Sequence, residues 1–161
     1  MNKVQVEIKK NDVLKIYDFL NQIKSSNKYF IEFSIRNKKI LEVEKEILEK
    51  SFENTDKENE YLKSEFEIIN KYCVKRKNGD LEFPLMVKEG EEDNYANEMT
   101  KLKEDNLDIY NTIISKNEDR KKSLEEKIKL ELHQINFERI PDEINSDMYE
   151  LLRNYELITF E

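Results

Sequence analysis

Glycine and proline are scarce in this chain, with two of each in 161 residues. A loop-rich or all-β protein needs far more of both at its turns. The scarcity therefore disfavours those classes and favours helix rods, which turn seldom. Tryptophan is absent, and cysteine and histidine occur once each, as Cys73 and His133. A lone cysteine excludes an internal disulfide. One Cys with one His argues against a structural zinc site built within one chain. A phosphate-cradling glycine loop is excluded as well, because Gly79 and Gly90 stand eleven positions apart. No apolar run is long enough to span a bilayer. Met1 to Lys10 is polar and alternating rather than a signal peptide, so a cytoplasmic protein is expected.

Charge is what the chain has in quantity. Charged residues make up 40% and hydrophobic residues only 37%, so the expected core is thin and elongated. The net charge is −8, from 36 acidic and 28 basic residues. That keeps a small protein in solution and argues against direct nucleic-acid binding, which draws its affinity from clustered positive charge. An acidic surface imitating nucleic acid stays open, although the two signs are mixed along the chain as on a solvated helix face.

Residues 3–9 (KVQVEIK) alternate, with Val4, Val6 and Ile8 on one side, which predicts a half-buried strand. Asn11 suits an N-cap, and Val13, Ile16, Tyr17, Leu20 and Ile23 predict an amphipathic helix over 12–24. From 28 to 53 the spacing of Phe30, Phe33, Ile40, Val43, Ile47 and Leu48 predicts a helix capped by Ser25 or Ser26. The alternation Tyr29, Ile31, Phe33, Ile35 leaves a strand over 29–36 as the alternative. Thr55 and Glu58 have capping-box spacing, as do Ser123 and Glu126; in so acidic a sequence that spacing carries little weight. Leu62, Phe66, Ile69 and Cys73 form a stripe over 56–76.

The stretch 72–94 then collects both glycines and Pro84. Asn78-Gly79 predicts a type I′ hairpin turn between Val74 and Leu81–Phe83, with Gly79 as a helix C-cap as the rival reading. Asp93 caps the next helix, over 94 to about 127, roughly 50 Å long if unbroken. Its stretch Ser115–Lys122 has no apolar residue, so that part is solvated or bent. Ile128, Leu130, Leu132, Ile135 and Phe137 predict a strand over 128–138 with a bulge or a change of face. Ser146 caps a short helix, and 156–160 forms a last strand. The three strands are expected to pair as one small sheet.

Few residues carry chemistry. His133 sits among core-like residues without a nucleophile motif, and reads as structural or exposed. Cys73 lies on an apolar stripe and reads as a small hydrophobe. Glu89, Glu91, Glu92 and Asp93 lack the spacing of a calcium loop and read as a solvated turn favouring the following helix N-terminus. No catalytic residue, cofactor or metal is expected. The candidate partner surface is Tyr72, Lys75, Arg76, Lys77, Leu81, Phe83, Leu85, Met86, Glu91, Glu92 and Asp93. Apolar residues rimmed by charge are the composition of binding surfaces. The same residues would also serve as a small local core closing the hairpin.

The opening VQVEIKKNDVLKIYDFLNQI and the ending KLELHQINFERIPDEINSDMYELL carry a resemblance. The layout is a strand-helix start, a charged helical middle and an ending with ELHxI, Pro-Asp-Glu-Ile and a Leu-rich helix. It resembles small phage and prophage proteins of unknown function. The resemblance covers the two chain ends and implies a phage origin, a host bacterial cell and a non-enzymatic role.

The expected fold is α+β and mostly helical, as a single domain over 1–161. A base with a small sheet and short helices comprises 1–27 and 128–161. A long antiparallel helical hairpin over 28–127 projects from it and reverses at 72–94. The first functional reading is a non-enzymatic, phage-type protein that binds a protein partner and inhibits a host or immune-defence protein. The alternatives are a chaperone-like assembly factor for phage particles and an acidic nucleic-acid mimic. The apolar helix stripes are satisfied either within the chain or by a second copy, which leaves a homodimer open.

Overall fold

A computed structural model describes residues 2–160. The fold is α+β and mostly helical, with six α-helices among the described residues. By contacts the chain divides into two compact units. One runs up to Phe52 and resumes at Asp119; the other is Glu53–Glu118.

The first unit is built on β1 (Lys3–Lys9) and β2 (Lys127–His133), an antiparallel ladder running from Lys3 opposite His133 to Lys9 opposite Lys127. The alternation of both strands sets the register. Val4 faces Leu132, Val6 faces Leu130 and Ile8 faces Ile128, so one side of the ladder is a continuous apolar surface. A slip of one residue would turn all six to the other side. α1 (Lys10–Gln22) contributes Val13, Ile16, Tyr17 and Leu20 to the core, and α2 (Lys28–Ser51) adds Phe30, Phe33 and Leu41. Phe30 lies edge-on to Phe19 with ring centroids 6.5 Å apart. The short strand β3 (Ile135–Asn136) pairs in parallel with β4 (Ile158–Thr159), and α6 (Ser146–Asn154) places Leu152 in the same core.

The helix over 28–36 is therefore real, and the strand alternative fails. Phe30 and Phe33 are buried at helical spacing, while Tyr29, Ile31 and Ile35 are exposed. The single strand expected over 128–138 is instead two strands. β2 ends at His133, and the chain then changes neighbours, so two separate two-stranded ladders replace the one sheet. The caps also differ from expectation. α1 starts at Lys10 with Lys9 before it, not at Asn11. α2 is capped by Asn27, whose Oδ1 accepts the N–H groups of Tyr29 and Phe30, not by Ser25 or Ser26. α6 is capped by Asn145, whose side chain accepts the Met148 N–H, not by Ser146.

In the second unit, α3 (Asp56–Tyr72) begins with the capping box the sequence reading discounted. Thr55 accepts the Glu58 N–H, and Glu58 accepts the Thr55 N–H at 2.7 Å. Ser123 and Glu126, with the same spacing, begin no helix. The element expected over 94–127 is two helices, α4 (Glu92–Asp105) and α5 (Leu107–Glu125); the boundary between units falls within α5. The break is at Asn106, where the amide donates to the Leu102 carbonyl at 2.9 Å and the backbone leaves helical geometry. Asparagine competes for backbone hydrogen bonds in this way inside helices. α3 runs antiparallel to α4 and α5: Tyr72 meets Tyr95, Tyr61 meets Tyr110, and Glu58 meets Lys116. The helical pairing of this unit thus involves 56–118, whereas α2 packs against α1 and β2 in the first unit.

Candidate protein-contact site

α3 ends at Tyr72, and Cys73 follows as its C-cap in extended geometry. The chain then runs out and back as a short irregular hairpin. Cys73 pairs with Val87 and Lys75 with Leu81, both antiparallel. Val74 uses both its backbone groups on this edge: its N–H donates to Met86 O at 2.8 Å, and its C=O accepts Glu82 N–H at 3.0 Å. Two partners that lie four positions apart in sequence thus meet one residue. Residues 83–85 are consequently pushed out of the ladder, with a cis peptide between Phe83 and Pro84, and together with the exposed side chain of Met86, which closes the ladder again, they form the Phe83–Met86 bulge.

The turn is not type I′. That form needs positive φ at both central residues, and Glu156 is the only non-glycine residue at positive φ among those described. Gly79 N–H donates to Arg76 O, Arg76 N–H donates to Asp80 O, and Gly79 lies at φ +91°. This is a type I turn followed by a left-handed glycine, the usual three-residue hairpin loop. Asn78 supports it by accepting the Asp80 N–H at Oδ1. At the other end, Glu91 N–H donates to Lys88 O and Gly90 lies at φ +83°, as the third position of a type II turn requires. α4 then starts behind Glu91 rather than behind Asp93, which lies in its first turn.

The predicted site residues fall into three groups. Tyr72 is buried and is not a surface residue: its hydroxyl donates to Glu98 Oε1 at 2.6 Å. Lys71 donates to the same oxygen at 2.7 Å and lies 4.6 Å over the Tyr72 ring. Both hydrogen bonds hold the Glu98 carboxyl below its ordinary range, and the bond to Glu98, with Tyr72 beside it, holds the Lys71 ammonium above its own. Leu81, Val74 and Val87 are half-buried and Cys73 is buried, so these are the apolar residues of the hairpin that turn away from solvent. Phe83, Leu85 and Met86 are exposed, at 69%, 42% and 49%. The sequence could not separate these groups, because the backbone register decides which apolar side chains turn inward.

Lys75, Arg76 and Lys77 are exposed at the tip, and none makes an ion pair among the described residues. Glu92 and Asp93 are exposed at the start of α4, and Glu91 accepts the Asn94 amide at 2.8 Å. Cationic tip and acidic base do not neutralise each other. Among the described residues no three His, Cys, Asp or Glu side chains converge as a metal site, and Glu89, Glu91, Glu92 and Asp93 are no exception. Pro84, part of the exposed bulge, was missed; its signal was its place between Phe83 and Leu85.

Cys73 is buried at the helix end, one step past the helix it was expected to lie on. His133 is buried, and its backbone is held by Asn37. Its Nδ1 makes no hydrogen bond among the described residues. Burial, with the nearby Arg36 and Lys3 charges, pushes the imidazole pKa down, which keeps it neutral. Among the described residues no helix is long and apolar enough to cross a membrane. No protein-family model, curated protein or solved structure matches the chain.

Proposed function

We propose that this protein is a non-enzymatic binding module whose contact surface is the Phe83–Met86 bulge with the cations at the hairpin tip. One observation carries the reading. Three large apolar side chains project into solvent beside Lys75, Arg76 and Lys77, none of which makes an ion pair among the described residues. Exposing such groups together costs solubility unless they meet something. The other exposed aromatic cluster is less available, because Phe137 stacks on Phe160 at 5.5 Å and lies edge-on to Tyr149 at 6.1 Å. Phe83 has no ring contact among the described residues.

The partner class we propose is a protein in the cytoplasm of a bacterial host, the setting implied by the resemblance of the chain ends. The test is affinity capture from bacterial lysate by the immobilised chain, beside its Phe83→Ser/Leu85→Ser/Met86→Ser variant. A stoichiometric protein held by the parent and lost with the variant supports the reading. Equal retention by both overturns it, and specific recovery of capsid or tail proteins would move the role to particle assembly.

A further inference from the structure

The surface is ordered along the hairpin in a way that makes it complementary to itself. The tip is positive on balance: Lys75, Arg76 and Lys77 are exposed there and outnumber the carboxylates of Asp80 and Glu82. The base is negative. Lys88 N–H donates to Tyr72 O, tying the returning strand to the end of α3, and exposed Glu89, Glu92 and Asp93 follow at once. Of the two lysines at the base, Lys71 is paired with Glu98, and Lys88, which donates to the Lys71 carbonyl at 2.7 Å, is outnumbered by the acids. The apolar bulge lies between.

At about 3.3 Å per residue, Arg76 stands roughly 13 Å from Tyr72 along the strand. That exceeds the screening length of about 8 Å at physiological salt, so the two charge clusters of one chain barely feel each other. Each is left to find a partner elsewhere. A purely acidic surface would be repelled by Glu89–Asp93, and a purely basic one by Lys75–Lys77. The surface that satisfies both ends is one with the same order reversed, which a second copy supplies.

We propose that this surface pairs with a second copy of the chain about a two-fold axis between the two Phe83–Met86 bulges. In such a pairing every contact occurs twice, once from each copy to its mate. The tip of each copy lies against the base of its mate, and the apolar bulges cover one another. The inference rests on the reading that the bulge is a contact surface. Lys75–Asp93 is 19 residues, fewer than the roughly 20–30 a side of a standard interface, which places the pairing among small, transient contacts.

The test is charge reversal read by sedimentation velocity from about 1 to 200 µM, the range over which a weak dimer dissociates. One variant carries Lys75→Glu, Arg76→Glu and Lys77→Glu; the other carries Glu89→Lys, Glu92→Lys and Asp93→Lys. Far-ultraviolet circular dichroism checks that each is folded. We expect the parent to dimerise, each variant alone to weaken dimerisation at least tenfold, and an equimolar mixture of the two to dimerise again. Only an antiparallel pairing puts opposite charges together at both ends of the parent dimer; a parallel one would set tip against tip and base against base. A parent that stays monomeric overturns the inference. So does a mixture that associates no better than either variant. If the monomeric parent still captures a lysate protein through Phe83, this inference fails while the binding function stands. If the parent dimerises through the bulge but captures nothing, the reverse holds. Phe83-dependent binding of a monomeric parent to phosphatidylserine vesicles would overturn the second copy in favour of a lipid surface.

Discussion

Asn37 holds the end of β2 as a neighbouring strand would: its Nδ2 donates to the His133 carbonyl at 3.0 Å, and its Oδ1 accepts the His133 N–H at 2.8 Å. Both groups are buried, so the amide meets two backbone demands that water cannot reach. We expect Asn37→Leu to cost about 2–4 kcal/mol, since each buried group left unpaired costs roughly 1–3 kcal/mol. Urea unfolding measures it. A loss under about 0.5 kcal/mol, the range of an ordinary surface change, would show that the two hydrogen bonds are not needed.

The only histidine makes stability depend on pH in a window free of other shifted groups. The folded state lowers the His133 pKa from its ordinary 6.5. Below that value the unfolded chain takes up a proton that the folded chain resists. The contribution is therefore complete above pH about 6.5 and is lost as pH falls through the lower folded value. Glu58, Glu98 and Glu131, all held below their ordinary 4.5, lose theirs only at more acid pH. We predict a lower urea midpoint at pH 5 than at pH 8, and a smaller difference in His133→Leu. An unchanged difference in the variant would sink the assignment.

Two phenylalanines should behave in opposite ways. Phe33 is fully buried, so Phe33→Ala should cost about 3–5 kcal/mol. Phe83 is 69% exposed, and Phe83→Ala should change stability by no more than about 0.5 kcal/mol. Chemical denaturation of the two variants side by side checks the pair. Similar losses would place Phe83 in a core.

Gly79 is held at φ +91° with open space where a Cβ would stand. Gly79→Ala should therefore cost only backbone strain, about 1–2 kcal/mol. Gly79→Asn should cost less, because asparagine tolerates that region better. Thermal unfolding distinguishes them. Equal and negligible losses would mean that the loop relaxes to another turn.

These residues also mark how far the sequence was legible. The alternation of Val4, Val6 and Ile8 located β1 because one face of a ladder is buried and the other is not. The residues around Tyr29 fit two periods, and only burial of Phe30 and Phe33 against α1 and the ladder chose between them. Two caps were misplaced because Asn27 and Asn145 act through local geometry that serine also offers, and two more, at Asn11 and Asp93, because Lys9 and Glu91 start their helices without a side-chain cap. The hairpin was legible as a reversal. Its division into sheltered residues at Cys73 and Leu81 and an exposed stretch at Phe83–Met86 was not, because that follows from Val74 pairing with both Glu82 and Met86.

The most direct measurement is the melting temperature of the Phe83→Ser/Leu85→Ser/Met86→Ser variant. If the bulge exists for contact rather than for folding, the midpoint should stay within about 2 °C of the parent. A fall on the order of 10 °C would mean that these side chains hold the hairpin together, and would contradict the account.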